Sequence, residues 1–221
     1  MPRVSRAQAE QHREAITEVS SRLFRERGLN GVSVADLMGA AGLTHGGFYG
    51  HFASKDALAG IAARHAFEEA IGRWHKRVQG RATAAEARAA LVEGYLRPQS
   101  VKDVAGGCPT AGLCVDVARE PGDAAIRGAY VEGLEEMVAI LAAVESAGDD
   151  AADRRAALAD YATMLGAMLM ARATAGHAIA DEILEAARER LVQAPRTAPA
   201  RRRSRETDKP SERRTSSHGE H

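Results

Sequence analysis

The sequence predicts an all-α protein, and three observations carry that expectation. Alanine, leucine and arginine dominate while aromatic residues make up only 4% of the chain, a balance that suits helices packed through small aliphatic side chains rather than a sheet. Apolar residues recur three and four positions apart along most of the length, the period of one helix face. The interruptions are glycines and prolines, spaced so that helix-sized segments remain between them. At 221 residues the chain can bury a real core in one or two modest domains.

The elements follow in order. Residues 7–27 read as one helix, with Ile16, Val19, Leu23 and Phe24 on a single face and Gly28 suited to the left-handed residue beyond its end. Ser33, with Asp36 three residues on, opens a second helix in a pattern close to a capping box. Gly42 keeps that helix short. Thr44 is placed to cap a third short helix through about His51, and Ser54 to cap a fourth that begins Lys55-Asp56-Ala57-Leu58 and runs to about Gln79. Further helical segments are expected at 83–96, 109–119, 123–146, 152–176 and 179–193, separated by Pro98, Gly106-Gly107, Pro121, Gly148 and Gly176. From Pro195 the composition turns to Pro, Arg, Ser, Thr and Glu. Such a segment has too little apolar surface to offset its ordering entropy, so residues 195–221 are expected to form a disordered basic tail.

Bulk properties narrow the function classes. No apolar run approaches the roughly 18 residues of a membrane span, the N-terminus lacks a secretory pattern, and two cysteines are too few for a disulfide scaffold. A cytoplasmic protein without membrane attachment is expected. No phosphate-binding glycine loop, Gly-x-Ser-x-Gly, His-Glu-x-x-His or paired-cysteine site is present, so neither an enzyme nor a resident cofactor or metal is expected. The net charge is zero, but it is unevenly placed. Residues 1–77 hold 11 Lys+Arg against 8 Asp+Glu, residues 78–194 hold 11 against 18, and residues 195–221 hold 8 against 4. A basic front, an acidic middle and a basic tail suit different partners.

The stretch from Ser33 to Phe52 carries the functional signal. Two short helices joined through Gly42 make a helix-turn-helix, with Val34, Leu37, Ala41, Leu43, Phe48 and Phe52 as its small core. Thr44, His45, Gly46, Gly47, Tyr49 and His51 are left off the core side, where a recognition helix meets the major groove of double-stranded DNA. Thr44 and His45 can bond base edges or phosphates, while Tyr49 and His51 suit backbone oxygens. Gly46 and Gly47 allow close backbone approach, although each weakens a helix by roughly 1 kcal/mol relative to Ala. Ser33 and Lys55, at the starts of the flanking helices, complete the expected DNA-contacting set with a phosphate as Lys55's partner.

These residues resemble the DNA-binding domain of the TetR/AcrR family of bacterial regulators. The pattern stands here as Arg13, Phe24 with Gly28, Ser33-Val34, Ala41-Gly42-Leu43-Thr44, Tyr49-Gly50-His51-Phe52 and Ser54-Lys55-Asp56-Ala57-Leu58. Met38 stands where the family usually has Ala, and Gly50 where a basic residue is frequent. The resemblance implies a helix-turn-helix domain over 1–55 joined by a long helix to a helical effector-binding and dimerisation domain over 56–194. It also implies a homodimeric transcription regulator, by default a repressor, that an unidentified small molecule or electrophile releases from operator DNA. The rival reading is a helical adaptor that kept the fold but binds protein.

In the family the last two long helices pair with their symmetry mates. That makes Leu158, Tyr161, Leu165, Met168 and Leu169 in one segment, and Ile183, Leu184 and Leu191 in the next, the dimer-interface candidates, with subunit core as the alternative. Cys108 lies in Gly106-Gly107-Cys108-Pro109, with Pro109 suited to a first helical position, so the thiol would feel a helix dipole that favours thiolate. Similar Gly-Cys-Pro segments occur in members that sense electrophiles or oxidants, so Cys108 is either such a sensor or a small residue at a helix start. Cys114 lies about 240° further round that helix, which disfavours a disulfide between the two. If the effector binds without reacting, Trp74, Leu91, Tyr95, Met137, Met164 and Met168 are the bulky pocket candidates. No cluster of charges in the sequence identifies a ligand.

Overall fold

The computed structural model describes residues 5–144 and 148–193, and the expected tail at 195–221 lies outside them. Among the described residues the chain is all-α: nine α-helices and one 3-10 helix, with no strand. Helix α1 (Arg6–Arg27) is capped by the Ser5 hydroxyl, which accepts from the Gln8 amide at 3.2 Å, and it ends at Gly28, whose φ of 76° is the left-handed conformation expected there. Helix α2 (Val34–Ala40) opens on a complete capping box between Ser33 and Asp36. Gly42, with φ 71°, turns the chain out of α2.

The next element departs from expectation. His45–Gly50 is a 3-10 helix rather than an α-helix, and Thr44 makes no side-chain cap to it. Gly46, Gly47 and Gly50 supply half of its residues, too many weak helix formers to hold a full α-turn. Its hydrogen bonds are of the tighter kind: Gly47 N donates to Thr44 O at 3.0 Å and His51 N to Phe48 O at 2.9 Å.

Helix α3 (Lys55–Val78) is capped by Ser54 and α4 (Ala84–Tyr95) by Thr83. A five-residue helix, α5 (Pro98–Lys102), stands where Pro98 was expected only to separate segments; as the first helical residue, Pro98 starts a helix as readily as it ends one. Helix α6 (Pro109–Arg119) has Cys108 as its N-cap and Pro109 at its first position, as expected. The remaining helices are α7 (Ala125–Val144), α8 (Asp150–Ala173) and α9 (Ala178–Gln193).

The helices enclose two cores. The first gathers Ile16, Phe24, Leu37, Met38, Phe48 and Phe52 with Leu58 to Ala63 of α3, and it extends to Leu113 and Val117 of α6 and Ile126 of α7. The second packs Phe67, Ile71 and Trp74 of α3 with Leu91, Tyr95, Met137, Leu141, Tyr161, Met164, Met168 and Leu184. Helix α3 therefore serves both. Where it meets α7, a Cβ on Gly133 would run into the Phe67 ring, and one on Gly60 would lie 2.9 Å from the Ala125 Cβ. Close approach of these helices depends on both glycines. Gly133→Ala is expected to destabilise the fold by about 1–3 kcal/mol, the usual cost of overpacking. Urea denaturation checks this: the midpoint should fall without a change in slope.

Candidate nucleic-acid interface and adjoining cleft

The helix-turn-helix surface follows from how its core is filled. Leu37, Met38, Phe48 and Phe52 are buried, with Val34, Ala41 and Leu43 packed partly against them. Burying Phe48 turns the flanking residues outward: Thr44, His45, Gly46, Gly47 and Tyr49 are all exposed, and Tyr49 is 71% accessible. Its ring stands edge-on to Phe48 at 5.2 Å, which fixes where the phenol projects. Met38 fills the space beneath the 3-10 helix, with its Cε 3.6 Å from where a Gly47 Cβ would be. The structure thus brings Thr44, His45, Gly46, Gly47 and Tyr49 onto one open face.

The other candidates are placed differently. His51 is half-buried, with its ring edge-on to His12 at 6.0 Å. The Ser33 hydroxyl accepts from the Asp36 amide at 3.1 Å and donates to its carboxylate at 2.6 Å, so capping uses most of its bonding capacity. The Ser33 hydroxyl first, and then the Ser33 amide, which donates to the same carboxylate at 2.8 Å, hold the Asp36 carboxyl below its ordinary value. The Lys55 ammonium donates to the Leu29 carbonyl at 2.5 Å, tying α3 to the α1–α2 loop. Arg13 acts in the same way: it donates to the His51 carbonyl and lies over the Phe52 ring at 4.5 Å.

A cleft opens beside the second core, and Cys108 is on its wall. The expected Trp74, Tyr95, Met137 and Met168 line it, whereas Leu91 and Met164 are fully buried elsewhere in the core. The sequence shows no cluster of charges here, yet the fold gathers one: Arg73, Arg77, Arg97 and Arg172 also line the cleft, against the single carboxylate of Asp103. Cys108 is half-buried, its Sγ 3.6 Å from the Tyr161 hydroxyl, and both cysteines are free thiols. Burial, and then the nearby Cys108, push the phenols of Tyr95 and Tyr161 well above their ordinary range, so both remain neutral.

The cleft is wired to the first domain. Arg25 of α1 is buried, and its Nη1 donates to the Gly107 carbonyl at 3.0 Å, one residue before Cys108. Its other nitrogens bond the Ser21 carbonyl and hydroxyl, both at 3.0 Å, and reach Glu69 of α3 at 3.4 Å. Nothing in the local sequence singled out Arg25, because its partners lie 44 and 82 residues away.

A model of the tetR family of bacterial regulatory proteins matches residues 16–60, the helix-turn-helix just described. That segment of the chain is therefore similar to the DNA-binding part of tetR-family regulators. Two curated relatives are similar over part of the chain: the HTH-type transcriptional repressor KstR2 of Rhodococcus jostii, 32% identical over 36% of this chain, and the HTH-type transcriptional regulator AcrR of Shigella flexneri, 36% identical over 26%. The matches span 37% and 27% of those proteins' own lengths, about a third of each. Fold similarity is wider. E. coli NemR in its reduced form superposes with a TM-score of 0.71 over 83% of this chain and 96% of that one, at 22% identity. A TetR-family regulator from Cytophaga hutchinsonii also gives 0.71, covering 89% and 100% at 23% identity.

Within this tetR-family fold the residues expected at a dimer interface divide in two. Tyr161, Met168, Leu184 and Leu191 are buried in the subunit's own core, the alternative that the sequence left open for them. A helical stripe marks an apolar face without saying which neighbour covers it. Leu158 is 43% exposed, and Leu165, Leu169 and Ile183 are partly open, with Met170 and Ile179 adding apolar surface at 53% and 50%. The helix pair α8–α9 thus has one face inward and one free. Arg25→Met is expected to destabilise the fold by about 2 kcal/mol or more, since it removes the buried bonds to Ser21, the shorter of the two bonds to the Gly107 carbonyl and the ion pair with Glu69. Urea denaturation of the two proteins under identical conditions measures the difference.

Proposed function

We propose that the chain is a homodimeric, DNA-binding transcription regulator, a repressor released from its operator by a small-molecule or thiol-reactive effector. The single observation that carries this reading is the exposed Thr44–Tyr49 face, held outward on a tetR-family helix-turn-helix. One such face buries too little surface for useful specificity, so two copies about one DNA turn apart are required. The free apolar face of α8–α9 supports that pairing. Gly166 lies on it with nothing within 4 Å of its Cβ position, so a partner helix could approach closely there. The named relatives add support, since KstR2 is described as a repressor.

Release follows from the connection between cleft and DNA domain. Helix α6 begins at Cys108 in the cleft and ends with Leu113 and Val117 in the first core, while Arg25 grips the loop just before it. An effector that prefers one position of this loop and helix changes the orientation of the two recognition elements, and by linkage it changes DNA affinity equally. Modification of the Cys108 thiol would act on the same element.

Three measurements test the reading. Fluorescence anisotropy with DNA upstream of the protein's own reading frame should show preferential binding over unrelated DNA. Tyr49→Ala combined with His45→Ala should weaken the specific binding at least roughly tenfold while leaving the circular dichroism unchanged. Equal binding of both DNAs by the unaltered protein would refute the regulator. Gly166→Arg should convert a dimer to a folded monomer in sedimentation, and a dimer that survives it would move the interface elsewhere. Cys108→Ser should make DNA binding indifferent to thiol oxidants; continued release would exclude Cys108 as the sensor and leave a reversible ligand.

A further inference from the structure

We propose that the cleft beside Cys108 is a binding site for an organic carboxylate, held by Arg77, Arg97 and Tyr95 with its apolar body against Trp74. This names the ligand class of the effector site and rests on the regulator reading only for its consequence, not for binding itself. Four guanidinium groups line the cleft, and Asp103 is the one carboxylate among the lining residues. None of the four donates a hydrogen bond to that carboxylate, and three have other partners. Arg73 donates to the Gly107 carbonyl at 3.4 Å, Arg172 to the carbonyls of Ser100 and Asp103 at 3.2 and 3.4 Å, and Arg97 to the Ser100 hydroxyl at 3.3 Å. The Asp103 carboxylate accepts from the Gly106 amide at 2.9 Å. The Arg77 side chain, half-buried, has no hydrogen bond or ion pair to any described residue. Burial first, then the like charges of Arg97 and Arg73, lower its pKa, which is the signature of a cation lacking a counter-ion.

Two buried polar atoms in the same wall are also poorly satisfied. The Arg172 Nε has no partner, and the Tyr95 hydroxyl, on a residue only 5% exposed, has none beyond the weakly bonding thiol of Cys108. An unmade or weak hydrogen bond at a buried donor costs free energy, and a native structure that keeps two such donors around one cleft invites an acceptor. The position of Arg77 is itself built. A Cβ on Gly94 of α4 would lie 2.8 Å from the Arg77 Nε, so the glycine leaves room for the guanidinium to lie across α4. Opposite the charges the lining is apolar, with Trp74, Met137 and Met168. Convergent cations, a weakly paired neutral donor and an apolar floor describe a site for an amphipathic anion, and two-oxygen acceptors match the guanidinium fork.

Trp74 is the chain's only tryptophan, so its fluorescence reports the cleft. The full-length protein would be titrated with sodium octanoate and sodium benzoate, with octanol and benzyl alcohol as neutral counterparts, and with inorganic phosphate. At least one carboxylate should give a saturable change, with its alcohol binding roughly tenfold or more weakly. Arg77→Gln should weaken the carboxylate by about tenfold and leave the alcohol unaffected; Arg97→Gln, at an exposed position, should act in the same direction without risk to folding. Tyr95→Phe should weaken it severalfold. Equal affinity for carboxylate and alcohol, no saturable response to either acid, or indifference to both arginine substitutions would overturn the proposal. Saturable phosphate binding tighter than either carboxylate would also overturn it in favour of a phosphorylated ligand. DNA anisotropy on the same samples separates the two readings. A carboxylate that binds without altering DNA affinity removes the effector role and leaves the site. Absence of specific DNA binding removes the regulator and leaves the fluorescence result standing.

Discussion

The buried guanidinium of Arg25 is the joint on which the two halves of the molecule depend. It belongs to α1, the first helix of the DNA-facing domain, yet its bonds run to Ser21 on its own helix, to Glu69 on α3 and to the Gly107 carbonyl in the second domain. A buried charge is tolerated only where its donors are matched, and here the match requires three elements to be in register. Gly112 shows how close that register is, since a Cβ there would stand 3.0 Å from the Arg25 side chain. The same contact that satisfies a desolvated cation therefore fixes α6, and with it the Cys108 loop, against α1.

Around that joint the helices divide the work by length. Helix α3 runs through both cores, so it cannot tilt without disturbing Phe48 at one end or Trp74 at the other. Helix α6 is shorter and touches the first core through Leu113 and Val117, while its N-cap stands in the cleft. A long shared helix gives stiffness and a short bridging one gives a part that can shift. Packed interiors respond to such shifts by moving between discrete arrangements rather than by bending gradually. That is the physical content of the proposed coupling, and it needs no contact between effector and DNA.

What was legible in the sequence was what is local. Caps at Ser33 and Ser54, the turn at Gly42 and the start of α6 at Cys108-Pro109 are settled by residues within four positions of each other, and all appear where expected. The 3-10 form of His45–Gly50 was missed because α and 3-10 turns share nearly the same apolar spacing over six residues. The stripe on α8 did not say which neighbour covers it for a related reason: α8 carries two apolar faces, and Tyr161 and Met168 point inward while Leu158 points out. The arginine-lined cleft was illegible altogether. Arg73, Arg77, Arg97 and Arg172 come from α3, the start of α5 and α8, and only the packing of Gly94 and Gly107 brings them to one wall.

The two ends of the molecule use their cations in opposite ways. Near the recognition surface, Arg13 and Lys55 are turned onto backbone carbonyls, and the open face from Thr44 to Gly50 carries no Lys or Arg at all. Binding through such a face draws on the amides of helix starts, on Tyr49 and His45, and on having two copies, more than on phosphate neutralisation. In the cleft the reverse holds: positive charge is gathered in excess of its carbonyl partners and Arg77 is left with none. Positive charge without a described counter-ion therefore sits in the cleft and away from the recognition face. On the reading proposed above, an anion that binds there would make its strongest ionic contacts where the signal enters, far from the surface that meets DNA.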